Sequence, residues 1–195
     1  FNDSLINSDS ISVKSINGRT LINKGYVNFT GKESDISINN LKSINPSTIV
    51  FSNKGNVSFP NFKNVNFHNL SLNCNSLLTN QQLTGSGKIS VSENTTLTIK
   101  AENIFPLFTN YNFHSFSNII FEKNTLLPKN IQFGNIEIKS KYNLDLINTD
   151  SLFISGNLIG AGKIKNHKNI VYNGAKKQKI KRMDYSTLIY NNSSA

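Results

Sequence analysis

Leu-Thr-Gly-Ser-Gly-Lys-Ile at residues 83–89 recurs as Leu-Ile-Gly-Ala-Gly-Lys-Ile at residues 158–164, and this repeat is the strongest indication of the fold. The two stretches share one order: apolar, any residue, Gly, small residue, Gly, Lys, Ile. Recurrence of a turn followed by a strand is the sequence signature of repeat architectures. The glycines predict tight corners, or positions where neighbouring backbones approach closely.

Short segments of alternating apolar and polar residues surround the repeats at intervals of about 8–12 residues. The clearest, residues 65–74, alternates Val, Phe, Leu, Leu and Cys with polar residues and is interrupted by a two-residue step at His68 and Asn69. That step predicts a corner between two sides of a coil. Strands this short, joined by one or two polar residues, favour a solenoid over a sandwich or barrel.

We therefore predict an all-β fold, a right-handed parallel β-helix (β-solenoid) in which the inward residues of each coil stack on those of the next. With roughly 20 to 25 residues per coil, about 8 to 10 coils are expected. The 33 asparagines suit this fold, because Asn tolerates left-handed backbone and caps turns through its side chain.

Two regions define the expected domain organisation. Residues 1–175 form one β-solenoid domain, a fragment of a longer protein, and residues 176–195 form a basic C-terminal cap or linker. Ile180, Met183 and Leu188 permit a short amphipathic helix that covers the last coil, with a flexible tail as the alternative. Residues 104–116 contain four Phe and one Tyr, and predict a bulky coil or local insertion, or else an exposed aromatic patch.

The charge balance indicates acidic partners. The formal net charge is +10 and the pI is about 9.7. Five cations lie within residues 176–182, which leaves +5 for the other 188 residues. A basic surface favours glycans, membrane headgroups or nucleic acid without choosing among them. The predicted ligand-binding residues are Lys176, Lys177, Lys179, Lys181 and Arg182.

The sequence contains no clear catalytic constellation. Asp145 and Asp150 are the nearest aspartate pair outside the N-terminal segment, with Glu137 as a third acid, and ordinary glycoside hydrolysis requires two carboxylates. We expect these acids to be solvated and the protein not to be an enzyme. A phosphate-binding Gly-x-x-x-x-Gly-Lys-Ser/Thr loop is missing as well.

No metal or cofactor is expected. His68, His114 and His167 lack the spacing of metal ligands, so His68 and His167 should be exposed at corners and His114 packed and hydrogen-bonded. Cys74 follows Leu70 and Leu72 in alternation and is predicted to be a buried structural residue. No run of 18 apolar residues is present, so no transmembrane segment is expected.

Residues 83–99, which read Gly-Ser-Gly-Lys-Ile and later Thr-Thr-Leu-Thr-Ile, resemble the passenger domains of bacterial autotransporters and related type V secreted adhesins and toxins. Residues 160–166 repeat the first half of this unit. The resemblance implies a right-handed parallel β-helix that is secreted or attached to the outer membrane at the cell surface, with adhesin or toxin activity in virulence. The sequence departs from that group in lacking a translocator barrel and a serine-protease motif.

The function expected from the sequence is therefore a non-enzymatic surface or secreted segment that binds host cells, glycans or copies of itself through an outward face of Asn, Thr and Lys. No specific nucleic-acid partner is expected. A polysaccharide-degrading β-helix enzyme, or a phage tail-spike-like protein, is the first alternative. A structural spacer is the second.

Overall fold

The computed structural model describes residues 3–60, 62–102, 105–129, 131–166, 169–181 and 187–191. These residues form short strands, and one 3₁₀ turn at Glu33–Asp35. The strands are β1 Ser4–Asn7, β2 Ser10–Val13, β3 Ile16–Asn23, β4 Tyr26–Phe29, β5 Ile36–Ser43, β6 Thr48–Phe51, β7 Asn56–Ser58, β8 Asn64–Asn66, β9 Asn69–Leu72, β10 Ser76–Thr79, β11 Lys88–Val91, β12 Thr96–Ile99, β13 Asn110–Phe113, β14 Asn118–Phe121, β15 Thr125–Leu126, β16 Gln132–Phe133, β17 Asn135–Ile138, β18 Asn143–Asp145, β19 Ser151–Ile154, β20 Leu158–Ile159, β21 Lys163–Lys165, β22 Asn169–Tyr172 and β23 Thr187–Tyr190.

Parallel pairing assembles these strands into five sheets, as predicted for a solenoid. We name them sheet A (β1-β3-β5-β8), sheet B (β2-β4-β6-β9-β11-β13), sheet C (β7-β10-β12-β14-β17-β20), sheet D (β15-β18-β21) and sheet E (β16-β19-β22-β23). From β6 to β9 the chain visits sheets B, C and A before it returns to B, and from β16 to β19 it visits E, C and D before it returns to E. The fold is thus a three-sided β-solenoid of about nine turns.

The core is built from apolar columns that run along the solenoid. On sheet B the register aligns Phe29, Phe51, Leu72, Val91 and Phe113. On sheet C it aligns Leu77, Leu97, Ile119, Ile136 and Leu158, all fully buried. Each such side chain stabilises the fold by about 1.5–3 kcal/mol relative to leaving it exposed. The period-2 pattern of the sequence therefore encodes the inward side of every turn.

The Phe-rich region is a core coil, which was one of the two structures expected for it. Phe105 and Phe113 are buried, and both pack against Phe133 at ring-centroid distances of 5.9 and 5.5 Å. Phe108 is also buried, whereas Phe116 remains 37 % exposed. Residue 104 lies outside the described residues.

The corners form where the sequence pattern predicts them. The chain leaves sheet A after β8 and enters sheet B at β9, and the step at residues 67–69 makes this change of side. Gly85 packs against the ring of Phe108, since an added Cβ would lie 2.5 Å from its Cδ1. Gly160 has a φ of +96°, in the left-handed region that favours glycine, and faces the Ile138 carbonyl. The repeated glycines thus serve both predicted purposes.

Buried asparagines stabilise the first corners through side-chain hydrogen bonds. The side chain of Asn7 donates to Asn23 Oδ1 at 2.8 Å, and Asn23 in turn donates to the carbonyls of Gly25 and Thr48, both at 3.1 Å. Asn23 is fully buried and Asn7 is 6 % exposed. The register places Ser43 next in this column, and its hydroxyl is within 2.5 Å of Ser47 Oγ. Part of the asparagine excess is therefore structural.

The amphipathic helix permitted by the C-terminal sequence does not form in the described part of residues 175–190. Residues 187–190 instead form β23, which pairs in parallel with β22, and residues 175–181 are not helical. An open strand edge carries unpaired N–H and C=O groups, and one more strand satisfies them whereas a helix would not. Met183 lies outside the described residues.

Candidate functional site

The predicted lysines lie on a segment that is fastened to the end of the solenoid. Lys176 is exposed and its Nζ lies 4.3 Å from the centroid of the Phe116 ring. Lys177 and Lys179 are also exposed. Lys181 is half-buried and donates through Nζ to the Gly160 carbonyl. Arg182 lies outside the described residues.

Backbone and amide contacts hold this segment in place. Gln178 Nε2 donates to the carbonyls of Ile154 and Gly156 at 3.0 and 2.7 Å. Leu158 N donates to the Lys179 carbonyl at 3.1 Å, and Lys179 N donates to Asn157 Oδ1 at 2.6 Å. Residues 174–181 therefore add a further rung beside β20, and their lysines project from a fixed backbone.

A second group of lysines lines a groove that crosses sheet D. The groove consists of two adjoining basins, of about 370 and 560 Å³, which share Asn143 and Lys165. We call it the D groove. Its smaller basin is lined by Lys141, Tyr142, Asn143, Ala161, Gly162, Lys163 and Lys165. Its larger basin is lined by Asn124, Thr125, Leu126, Asn143, Asp145, Ile147 and Lys165.

Strand register brings these residues together. β15, β18 and β21 align Leu126, Asp145 and Lys165 in one column, and Asn143 with Lys163 in the next. The intervening residues Leu144 and Ile164 are buried, so alternation leaves their neighbours accessible. The D groove therefore runs along the solenoid axis over three successive rungs, a span of about 10 Å.

Hydrogen bonds fix the polar side chains of the groove. Asn124 Oδ1 accepts from the backbone N and from Nδ2 of Asn143, at 3.0 and 3.1 Å. Asp145 Oδ1 accepts from Asn166 Nδ2 at 2.8 Å and from Ile147 N at 3.0 Å. The amide and carboxylate groups are thus oriented before any ligand arrives.

The floor of the smaller basin explains the second Gly-Ala-Gly repeat. A Cβ on Gly162 would lie 2.6 Å from the Lys139 carbonyl oxygen and 2.8 Å from that of Tyr142. Only glycine permits so close an approach of two turns. Lys141, with a φ of +76°, forms the corner beside this floor.

The smaller basin is strongly positive. Lys141, Lys163 and Lys165 line it and none of its lining residues is acidic. The ion pairs within the described ranges, Lys100 with Glu122 and Lys139 with Glu137, do not involve these lysines. Residues 135–182 contain ten of the 21 cations against three acids, so the charge collects in this quarter of the chain. The site is suited to an anionic ligand.

The structure does not bring the three candidate acids into one site. Asp145 belongs to β18 in sheet D, whereas Glu137 belongs to β17 in sheet C. Glu137 accepts from Lys139 Nζ at 2.6 Å, and this hydrogen bond raises the pKa of Lys139. Asp150 is exposed and precedes β19. Asp145 is the only acid among the lining residues of the D groove.

The histidines are placed partly as expected. His68 is half-buried and its Nδ1 lies 3.0 Å from Ser86 Oγ. His114 accepts from Phe116 N at 3.2 Å, but it is exposed, so the expectation that it is packed is wrong. It lies at the turn after β13, where the inward position is taken by Phe113. His167 lies outside the described residues.

Cys74 is buried, as its alternation with Leu70 and Leu72 predicted. Burial raises the pKa of its thiol to about 11. Among the residues that the structure describes, no group of three or more His, Cys, Asp or Glu side chains is arranged to hold a metal ion.

Comparison with known proteins adds no relative: no family model, no curated protein and no solved structure matches this chain. Within the described ranges, no helix has the length and apolar character needed to cross a membrane.

Sequence reasoning missed Lys141, Lys163 and Lys165 as ligand-binding candidates. A signal was present, because the second glycine repeat continues as Lys163-Ile164-Lys165, and alternation around a buried Ile places both lysines outside. Lys141 joins these two lysines only because β18 pairs with β21. That pairing depends on the lengths of the turns, which the sequence does not reveal.

Proposed function

We propose that this protein is a non-catalytic binding segment that holds acidic polysaccharides in the D groove. The observation that supports this most is that the two basins share Asn143 and Lys165. Three lysines line the smaller basin, and amide and apolar groups, with Asp145, line the larger one. An extended polymer fits a groove that runs along the axis better than a small ligand would, since the site is open and crosses several rungs.

The groups of the D groove match the parts of an acidic sugar. Lys163 and Lys165 supply charge for carboxylate or sulfate groups. Asn124 and Asn143 supply amide donors and acceptors for hydroxyls. Leu126, 36 % exposed, and Ile147, 67 % exposed, supply apolar surface for the ring faces. Several such weak contacts along one polymer combine by avidity.

Catalysis is the less favoured alternative for the same groove. Asp145 lines it, but ordinary glycoside hydrolysis needs a second carboxyl group about 5–10 Å away. Glu137 lies on another sheet. A single carboxylate already bound to Asn166 and to the backbone at residue 147 is better suited to orienting a ligand.

We further propose, from the resemblance of residues 83–99 to autotransporter passengers, that the segment works at a bacterial surface or after secretion. An adhesin-type role follows from that location together with polysaccharide binding. The predicted lysines of residues 176–181 would extend the positive surface beyond the D groove.

Isothermal titration with polygalacturonate, a polyuronate, tests the binding function. We expect binding at low salt that weakens as ionic strength rises, and no binding of neutral dextran. The double charge reversal Lys163→Glu/Lys165→Glu should weaken binding on the order of 10- to 100-fold, since each charge contributes about 1 kcal/mol near a surface.

Lys54→Glu/Lys88→Glu is the matched control, because both lysines are exposed and neither lines the D groove. It changes the net charge equally and should weaken binding less than threefold. Equal losses in the two double variants would show that net charge alone attracts the polymer. Equal affinity for duplex DNA and polygalacturonate would also contradict a glycan site.

A further inference from the structure

Asp145 brings a negative charge into a groove that is otherwise positive. It lines the larger basin together with Lys165, and Lys141 and Lys163 line the smaller basin beside it. A groove that binds only polyanions gains nothing from a carboxylate, because that charge repels each acidic group that binds next to it. The position of Asp145 therefore points to a second kind of group on the ligand.

Strand register places this carboxylate close to the groove lysines. Asp145 pairs with Lys165 on the neighbouring rung, at a spacing of roughly 5 Å. Lys163 lies two residues before Lys165 on β21, and both side chains are exposed. Lys163 is thus diagonally opposite Asp145, at roughly 8 Å between Cα atoms. One negative and two positive charges therefore share two adjacent rungs.

Asp145 is bound by neutral donors rather than by the lysine beside it. Its Oδ1 accepts from Asn166 Nδ2 at 2.8 Å and from Ile147 N at 3.0 Å. Asn166 directly follows β21 and has a φ of +53°, a left-handed conformation that asparagine tolerates. Neither Asp145 nor Lys165 forms an ion pair within the described part of the chain. The carboxylate is therefore fixed in direction, and its negative charge remains available to a ligand.

We propose that the D groove selects a zwitterionic polysaccharide, in which an acidic sugar alternates with an amino sugar that carries a free amine. The acidic group binds Lys163 and Lys165, and the ammonium group binds Asp145. Leu126 and Ile147 line the same basin, and apolar neighbours strengthen the attraction between charges because they displace water. Asp145 is thus the specificity-determining residue of the polysaccharide site proposed above, on which this assignment rests.

Net charge alone gives the opposite preference. A polymer that alternates uronate with N-acetylated hexosamine carries a negative charge on every second sugar. Removal of the acetyl groups adds a positive charge to each of the other sugars and makes the polymer neutral overall. A protein with a net charge of +10 attracts the acetylated, acidic form more strongly. Tighter binding of the zwitterionic form would therefore report the carboxylate in the groove.

Isothermal titration at pH 6 with heparosan, which alternates glucuronate and N-acetylglucosamine, and with its N-deacetylated form tests this proposal. We expect the N-deacetylated polymer to bind about 3- to 10-fold more tightly, as for one partly exposed charge pair with a hydrogen bond. Asp145→Asn should abolish or invert this preference, since the amide keeps the shape of the side chain without its charge. A circular dichroism spectrum like that of the parent confirms that this variant folds.

Glu93→Gln is the matched control, because it removes one negative charge at an exposed residue that does not line the D groove. It should leave the preference for the N-deacetylated polymer intact. A preference that persists in Asp145→Asn, or that Glu93→Gln abolishes equally, would contradict the role assigned to Asp145.

The same titrations distinguish this proposal from the polysaccharide-binding function. Equal or weaker binding of the N-deacetylated polymer, with binding of heparosan or polygalacturonate that Lys163→Glu/Lys165→Glu weakens, would overturn the zwitterion preference and leave a site for plain polyanions. Binding of polygalacturonate without binding of either heparosan would overturn it as well. If none of the three polymers binds, the proposed function fails, and this assignment fails with it.

Discussion

Replacement of Asn23 by Ala should destabilise the solenoid more than any exposed asparagine replacement does. Asn23 is fully buried, donates to the Gly25 and Thr48 carbonyls, and accepts from Gly25 N at 3.2 Å and from Asn7 Nδ2 at 2.8 Å. The substitution removes the side-chain amide and with it all four of these hydrogen bonds. At about 1 kcal/mol for each hydrogen bond, with some relaxation, the loss is about 2–4 kcal/mol.

Urea denaturation followed by circular dichroism measures this loss. Asn112→Ala is the matched control, because Asn112 is exposed on β13 and the same atoms are removed. The control should change the free energy of unfolding by less than about 0.5 kcal/mol. If Asn23→Ala and Asn112→Ala lower the free energy of unfolding equally, the buried amide column does not stabilise the corners and our explanation of the asparagine content fails.

Three further predictions concern Gly162 in the floor of the smaller basin, the Cys74 thiol and the Asp145 carboxylate. Gly162→Ala should destabilise the protein by about 1–3 kcal/mol in the same urea assay, because the added Cβ would meet two carbonyl oxygens. Ala161→Ser, at the exposed neighbouring residue, is the control and should leave the free energy of unfolding unchanged. Equal effects of the two substitutions would contradict the close approach of the two turns. The Cys74 thiol, with its pKa raised to about 11, should resist iodoacetamide at pH 8 until urea unfolds the protein, and rapid labelling of the native state would contradict its burial. Asp145→Asn should alter the affinity for polygalacturonate, and neither the parent protein nor the variant should release reducing ends from the polymer. If the parent releases reducing ends and the variant does not, the protein is an enzyme instead.

The solenoid was predictable because its signals are local. Alternation around residues 65–74 and the step at His68 and Asn69 identify both strands and corner, since each depends on neighbours in sequence. The glycine repeat is visible in the sequence as well, although its causes are contacts between turns: Gly85 lies against the Phe108 ring, and Gly162 lies against the carbonyls of Lys139 and Tyr142.

The D groove was not predictable, because it depends on which turn lies beside which. The turns differ in length: the register pairs Ser10 with Tyr26 on sheet B, but Asn40 with the more distant Asn64 on sheet A. Because the turns are so unequal in length, no constant number of residues per turn predicts that Lys141 lies beside the turn that contains Lys163. The C-terminal helix was one of two alternatives, with a flexible tail as the other, and the spacing of Ile180, Met183 and Leu188 suits it. In the described residues 187–190 the chain forms β23 instead, because tertiary pairing with β22 determines the outcome there.

Lysine footprinting by acetylation and mass spectrometry, with and without polygalacturonate, locates the binding site on the folded protein. It reports each ammonium group separately in the unaltered protein. If the D groove binds the polymer, Lys163 and Lys165 should lose most of their reactivity on addition of polygalacturonate, while Lys54 and Lys88 should retain theirs. Uniform protection of all four lysines, or protection of Lys54 and Lys88 alone, would contradict the claim that this groove is the binding site.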